Sequence, residues 1–234
     1  MRAVFVNTVA VLLGSLIGIL FRSRLNESLR NGVMKALGLC TVLIGVSSAI
    51  QTTHVLAVII CMVFGTILGE LLKIDAGIEN LGDSIKKKLP KGSLASGSFT
   101  DGFVSASILF CIGSMTIMGS LEAGIRQNYS IIYAKSMMDF ISSMAFGAAM
   151  GFGVTCSALF VLVFQGGLTL LAAWIGTALS DVVVTEMSAV GGVILIGMAL
   201  NLLQCSKERI KVSNMLPAIF LPILYFPIVS LISG

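Results

Sequence analysis

Apolar residues run along this chain in blocks of about twenty, set apart by short polar breaks. A bilayer's hydrocarbon core, about 30 Å thick, is crossed by roughly 20 mainly apolar residues in a helix. Eight blocks meet that length: 4–21, 33–50, 55–72, 102–121, 130–151, 154–177, 184–204 and 215–232. The pattern predicts an all-α polytopic membrane bundle of about eight transmembrane helices, a single transmembrane domain over 1–234. One connection differs, at about 74–97. There Ile74, Ile78, Leu81, Ile85 and Leu89 recur at helical spacing beside Lys86, Lys87 and Lys88. That spacing fits a cytoplasmic amphipathic helix lying on an anionic leaflet, and equally a solvated loop held inside by its lysines. Pro90, Gly92 and Gly97 then break the helix before the next span.

Composition supports the membrane reading: 56% of residues are hydrophobic and 11% charged, against about 25% charged in ordinary soluble domains. Mean hydropathy is +1.02. No formal charge occurs from Phe140 to Ser180, a run sufficient for two spans. The first span has no small-residue cleavage site and is read as a retained helix. The net charge of +4 comes from basic clusters in particular connections: Arg22, Arg24 and Arg30, then Lys86 to Lys88, then Lys207, Arg209 and Lys211. With eight spans these connections fall on one side, which the positive-inside rule makes cytoplasmic, with both termini outside. Seven spans would put the last cluster outside. No nucleic-acid motif is present.

Candidate chemistry centres on span five, IIYAKSMMDFISSMAFGAAMG, where Asp139 lies about 12 Å along the helix from Ile131. A central acidic residue costs about 2.5–3.5 kcal/mol to insert, so it needs a partner, a wet cavity or a proton. Lys135 is one turn away, placed to pair with Asp139 or to snorkel outward. Asp139 can be read as a cation-binding or proton-carrying group, or as half of a structural pair that fixes helix register. Ser143 extends the polar surface around it. Gln165, Asn201 and Asn7 are further polar residues within spans, able to contact a solute or to bond a neighbouring helix. The small residues of FCIGSMTIMGS, among them Gly113 and Ser114, read first as packing devices. A break in that helix would free backbone carbonyls beside Gly113 to coordinate an ion.

Gly14 with Gly18, and Gly65 with Gly69, form GxxxG pairs suited to close helix packing, and dimerisation through either is expected. His54, the only histidine, reads as an interfacial polar residue. Five cysteines, none in a CxxC pair, read as free thiols. The chain holds no HExxH, GxSxG or P-loop motif and no metal-ligand cluster. Neither an enzyme nor a cofactor is expected.

Two larger patterns remain. Met34, Ala36, Gly38, Leu43, Ile44 and Gly45 recur as Met187, Ala189, Gly191, Leu195, Ile196 and Gly197 with a one-residue gap. An offset of five helices would make spans 1–3 and 6–8 an inverted repeat around central spans 4–5. The segments VNTVAVLLGSLIG, MKALGLCTVLIG, GSMTIMGSLEAG, YAKSMMDF, EMSAVGGVILIG and NMLPAIFLP are together similar to the YqgA/YdfK-like family of bacterial inner-membrane proteins, a domain-of-unknown-function family. The resemblance spans essentially the whole chain and implies a multi-pass protein of the bacterial plasma membrane; it offers no established substrate, since members are usually labelled uncharacterised or, loosely, transporters. Glu122, Lys135 and Asp139 fall in the matched segments and are candidates on that ground. The expected function is a transporter or channel for a small ion or solute; the alternative is a non-transporting interaction protein that binds partner helices and lipid.

Overall fold

A backbone in hydrocarbon has to satisfy its own N–H and C=O groups, so each apolar block closes into a helix. The computed structural model describes residues 1–22, 27–88, 99–112, 114–175, 180–205 and 208–233. Its helices are α1 (Arg2–Arg22), α2 (Glu27–Ala49), α3 (Val55–Leu71), α4 (Ile74–Lys88), α5 (Phe99–Ile112), α6 (Ser114–Ile125), α7 (Ser130–Met150), α8 (Phe152–Ile175), α9 (Asp181–Leu202) and α10 (Pro222–Ser233). A 3-10 segment, Val212–Phe220, precedes the last. Among the described residues five helices are each long and apolar enough to cross a membrane, or up to seven crossings if each of two bent pairs counts as one. Helix α7 has the length, 21 residues, but Lys135, Asp139 and its serines hold its hydropathy below that of a lipid-facing span.

Two expected spans are not straight helices. Span four splits into α5 and α6, which bend by 54°. The Thr116 hydroxyl donates to the Phe110 carbonyl at 2.9 Å and so satisfies an acceptor that the bend frees. Span eight bends by 43° between the 3-10 segment and α10, where Pro217, Pro222 and Pro227 lack backbone donors. Helix α4 covers most of the amphipathic connection. Its Ile78 and Ile85 pack on the protein core while Leu81 is exposed, so part of its apolar face is spent on the bundle. Leu89 and residues 90–97 lie outside the described residues.

The core is centred on α5, which packs against both α8 and α9, around buried Phe99, Phe103, Phe110, Ile194 and Leu195. Leu20, Leu43, Phe64, Trp174 and other large apolar side chains face outward, as a lipid-solvated surface requires.

Glycines set the closest approaches, and both GxxxG pairs are used inside the chain. A Cβ on Gly14 would collide with Ser143 and Phe140 of α7, and one on Gly18 with Met144 and Ala148. Gly65 and Gly69 lie against Ala218 and Asn214 of the 3-10 segment. Within the chain, both glycine pairs thus serve contacts between its own helices.

The same contacts give helix directions. Helices α1 and α7 run parallel, since Gly14 meets Phe140 and Gly18 meets Ala148. Helices α2 and α9 run antiparallel, with Gly38 against Leu203 and Gly45 against Gly192. Gly153 of α8 meets Phe99 of α5, and Gly124 of α6 meets Thr169 of α8, a parallel pairing. Glycines matched in the repeat meet unlike neighbours: Gly38 faces Leu203 whereas Gly191 faces the Ile112 carbonyl.

Candidate functional site

Close packing of α1 on α7, which the missing Cβ atoms of Gly14, Gly18 and Gly147 permit, carries Asn7 onto the acidic residue of α7. Lys135 and Asp139 form an ion pair one helical turn apart, and they are only 4% and 7% exposed. Asn7 donates from Nδ2 to Asp139 Oδ2 at 3.1 Å and to Gln165 Oε1 of α8 at 2.9 Å. Asn7 and Gln165 are fully buried. Three helices thus contribute four polar side chains to one cluster, about 13 Å of helix from the start of α7. Lys135 Nζ also lies 6.0 Å from the centroid of the Phe110 ring, on the residue that opens the α5–α6 bend.

The bonding is incomplete. Asn7 Oδ1 and Gln165 Nε2 are buried and have no partner among the described residues. The bonds to Asp139 from Lys135 and Asn7 both end on Oδ2. Lys135 and Asp139 also line a cavity of about 340 Å³ between α2, α5–α6 and α7, together with Ser47, Ser48, Gln51 and Ser142 and an apolar remainder. The arrangement gives a buried carboxylate a counter-ion and a space beside it. Asn7→Leu should lower stability by about 1–3 kcal/mol, because it strips one donor from Asp139 and leaves Gln165 Oε1 bare; thermal unfolding in detergent measures it.

The other candidates lie elsewhere. Ser143 is buried one turn beyond Asp139, donates to the Phe140 carbonyl at 2.9 Å and fills the α1–α7 contact. Glu122 pairs with Arg126 at 2.6 Å near the end of α6, with Asn128 at 3.5 Å. Asn201 clamps a turn: its amide donates to the Ile210 carbonyl at 2.8 Å and accepts from the Ile210 N–H at 2.9 Å. Gly113 and the side chain of Ser114 lie outside the described residues, although the bend beside them is present.

Sequence reasoning passed over a second buried acid. Glu186, near the start of the expected span 184–204, is fully buried. It accepts from the Thr52 hydroxyl at 2.5 Å and the Thr53 and His54 N–H groups at 3.0 and 3.2 Å. The His54 ring nitrogen Nδ1 is 3.4 Å away. From α9 it therefore caps the N-terminus of α3, where free N–H groups and the helix dipole favour a negative charge. The TTH run just before an apolar block was the available signal. Glu186→Ala should lower the melting temperature clearly more than Glu186→Gln, which keeps an acceptor; a thermal scan of both checks it.

At the opposite end a polar network ties α3, α4 and the 3-10 segment together. Asn214 bonds Glu70 and accepts from the Asp75 N–H at 2.7 Å. Lys211 donates to Glu70 at 3.1 Å, and this bond raises the lysine above its ordinary pKa range. Arg209 meets Glu79 at 2.5 Å. Among the described residues no group of three histidine, cysteine or acidic side chains is placed to hold a metal ion. Cys61 and Cys111 are buried, Cys156 is partly buried, Cys40 and Cys205 are exposed, and all five are free thiols.

Comparisons with known proteins agree with a membrane assignment. The chain is 29% identical over 220 residues to the uncharacterized membrane protein YdfK of Bacillus subtilis (strain 168), covering 92% of this chain and 91% of that protein. It is 30% identical over 224 residues to the uncharacterized protein YqgA of Escherichia coli (strain K12), covering 93% and 92%. No solved structure matches it. Residues 2–227 match the family described as "Protein of unknown function (DUF554)". This multi-pass membrane protein therefore belongs to the DUF554 family.

Proposed function

We propose that this protein moves a small ion or solute across the bacterial inner membrane, with Asp139 as the group that binds or couples it. The observation that carries the reading is the juxtaposition of a buried ion pair with an open space. Lys135 and Asp139 sit inside an apolar bundle and line the same 340 Å³ cavity. Intramembrane ionisable residues are costly, and they concentrate on solute and proton pathways. The α5–α6 bend beside the cavity adds a second feature of transport proteins, irregular backbone where it lines a space.

Helix directions support the topology that goes with this function. Eight alternating crossings require the first and fifth spans to be parallel, the second and seventh antiparallel, and the fourth and sixth parallel, as observed for α1–α7, α2–α9 and α5/α6–α8. Basic residues Arg22, Lys87, Arg209 and Lys211 then share the cytoplasmic side, and both termini lie outside. Exposed Cys205 should accordingly react with a membrane-impermeant maleimide in inside-out vesicles and stay unlabelled in right-side-out ones. The alternative, an interaction protein working through its GxxxG faces, is less well supported because those faces are filled within the chain.

Proteoliposomes carrying the purified protein test the proposal, with proton, sodium and L-leucine flux measured in turn. Asp139→Asn should cut the flux of the transported species at least tenfold. No Asp139-dependent flux of any of the three would count against the reading.

A further inference from the structure

Charge balance in the cavity narrows what it can hold. Its two ionised walls, Lys135 and Asp139, cancel. A solute carrying net charge would leave an unbalanced ion in a low-dielectric site, at a cost of several kcal/mol. The occupant is thus neutral overall. Size points away from a bare ion: about 340 Å³ is within the range of pockets that hold organic molecules, about 300–1,000 Å³.

We infer that the cavity binds a small zwitterion with an apolar body, an α-amino acid with an aliphatic side chain. Its carboxylate takes the Lys135 ammonium, and its own ammonium takes Asp139. No bond reaches Asp139 Oδ1 among the described residues, while Oδ2 holds both Lys135 and Asn7. The free oxygen belongs to a side chain on the cavity wall and is the acceptor that a ligand ammonium requires. One internal ion pair is then exchanged for two external ones, and no charge is left single. Leu109, Phe110 and Met115 complete the wall and suit an aliphatic side chain, with the methionine adapting to its shape. Met115 belongs to the first turn of the 12-residue helix α6, whose positive dipole end favours the ligand carboxylate.

This inference rests on the transport reading, and the test separates the two. Binding of tritiated L-leucine to the full-length protein in lipid nanodiscs is measured, with competition by 4-methylpentanoate, which lacks the ammonium, by leucinamide, which lacks the carboxylate, and by sodium chloride alone. L-leucine should bind saturably, and each single-charge analogue should compete at least tenfold more weakly than unlabelled L-leucine. Ser142→Phe, which fills the cavity while leaving both Lys135 and Asp139 in place, should abolish binding while the melting temperature stays near that of the parent. Absence of leucine binding, equal competition by either analogue, or unchanged binding in Ser142→Phe overturns the inference. If it fails while Asp139-dependent proton or sodium flux persists, the transport reading stands; if no Asp139-dependent flux of any probe is seen, both fall.

Discussion

Lys135→Met combined with Asp139→Met should yield a protein at least as stable as the parent and incapable of transport, whereas either change alone should destabilise it by about 3–5 kcal/mol. The reasoning follows from burial. Each partner is at most 7% exposed, so removing one leaves the other as an uncompensated charge in a medium that screens poorly. Removing both takes away the desolvation cost together with the attraction, and well-packed apolar residues commonly match or exceed a buried ion pair. Asp139 also loses its bond from Asn7 in the double variant, a cost of about 1 kcal/mol that is small beside the single-variant losses. Thermal unfolding in detergent and flux in proteoliposomes are read on the same preparations. Full flux from the stable double variant would show that the pair serves only to hold α7 in place.

The second large effect lies at α1. Gly18→Leu should prevent α1 from seating on α7, because even a Cβ at that position overlaps the Met144 carbonyl and comes within 2.8 Å of the Ala148 nitrogen. Backbone atoms of a packed helix cannot step aside as a side-chain tip can. Overpacking costs typically 1–3 kcal/mol and more when backbone must shift. Displacement of α1 would also pull Asn7 away from Asp139 and Gln165, so flux should fall with stability. Gly32, in the same N-terminal part of the chain, has open space around it. Gly32→Ala should be neutral or slightly stabilising, as alanine favours a helix by up to about 1 kcal/mol. Expression level and melting temperature of the two variants make the comparison, and equal behaviour would remove packing as the cause.

Much of this was legible before the fold. Blocks of hydrocarbon-spanning length gave the helices, and the i, i+4 spacing of Lys135 and Asp139 gave the pair, since both signals are local. What the sequence withheld was longer in range. Gln165 and Asn7 each looked like isolated polar residues, and only the approach of α1 to α7 and α8 joins them to Asp139. Gly14 and Gly18 announced a close contact without naming the partner, because a small residue accepts any helix, so an external dimer face and an internal one look alike. Glu186 resembled a membrane-edge acid because its position near a helix start is visible in the chain, while its burial under the α2–α3 turn is a tertiary fact. The α5–α6 bend was signalled only by glycine and serine, residues equally at home in straight packed helices.

Water access to the cavity beside Asp139 is what the account stands on, and Ser142, one of the lining residues, is placed to report it. Ser142→Cys in a chain whose five native cysteines are replaced by alanine should react with a small water-soluble methanethiosulfonate in intact proteoliposomes, since only a hydrated thiol ionises enough to do so. Modification of that cysteine is the predicted result. A cysteine that stays unmodified in the folded protein, yet reacts at once after denaturation, would show a dry contact around Asp139 and contradict the account.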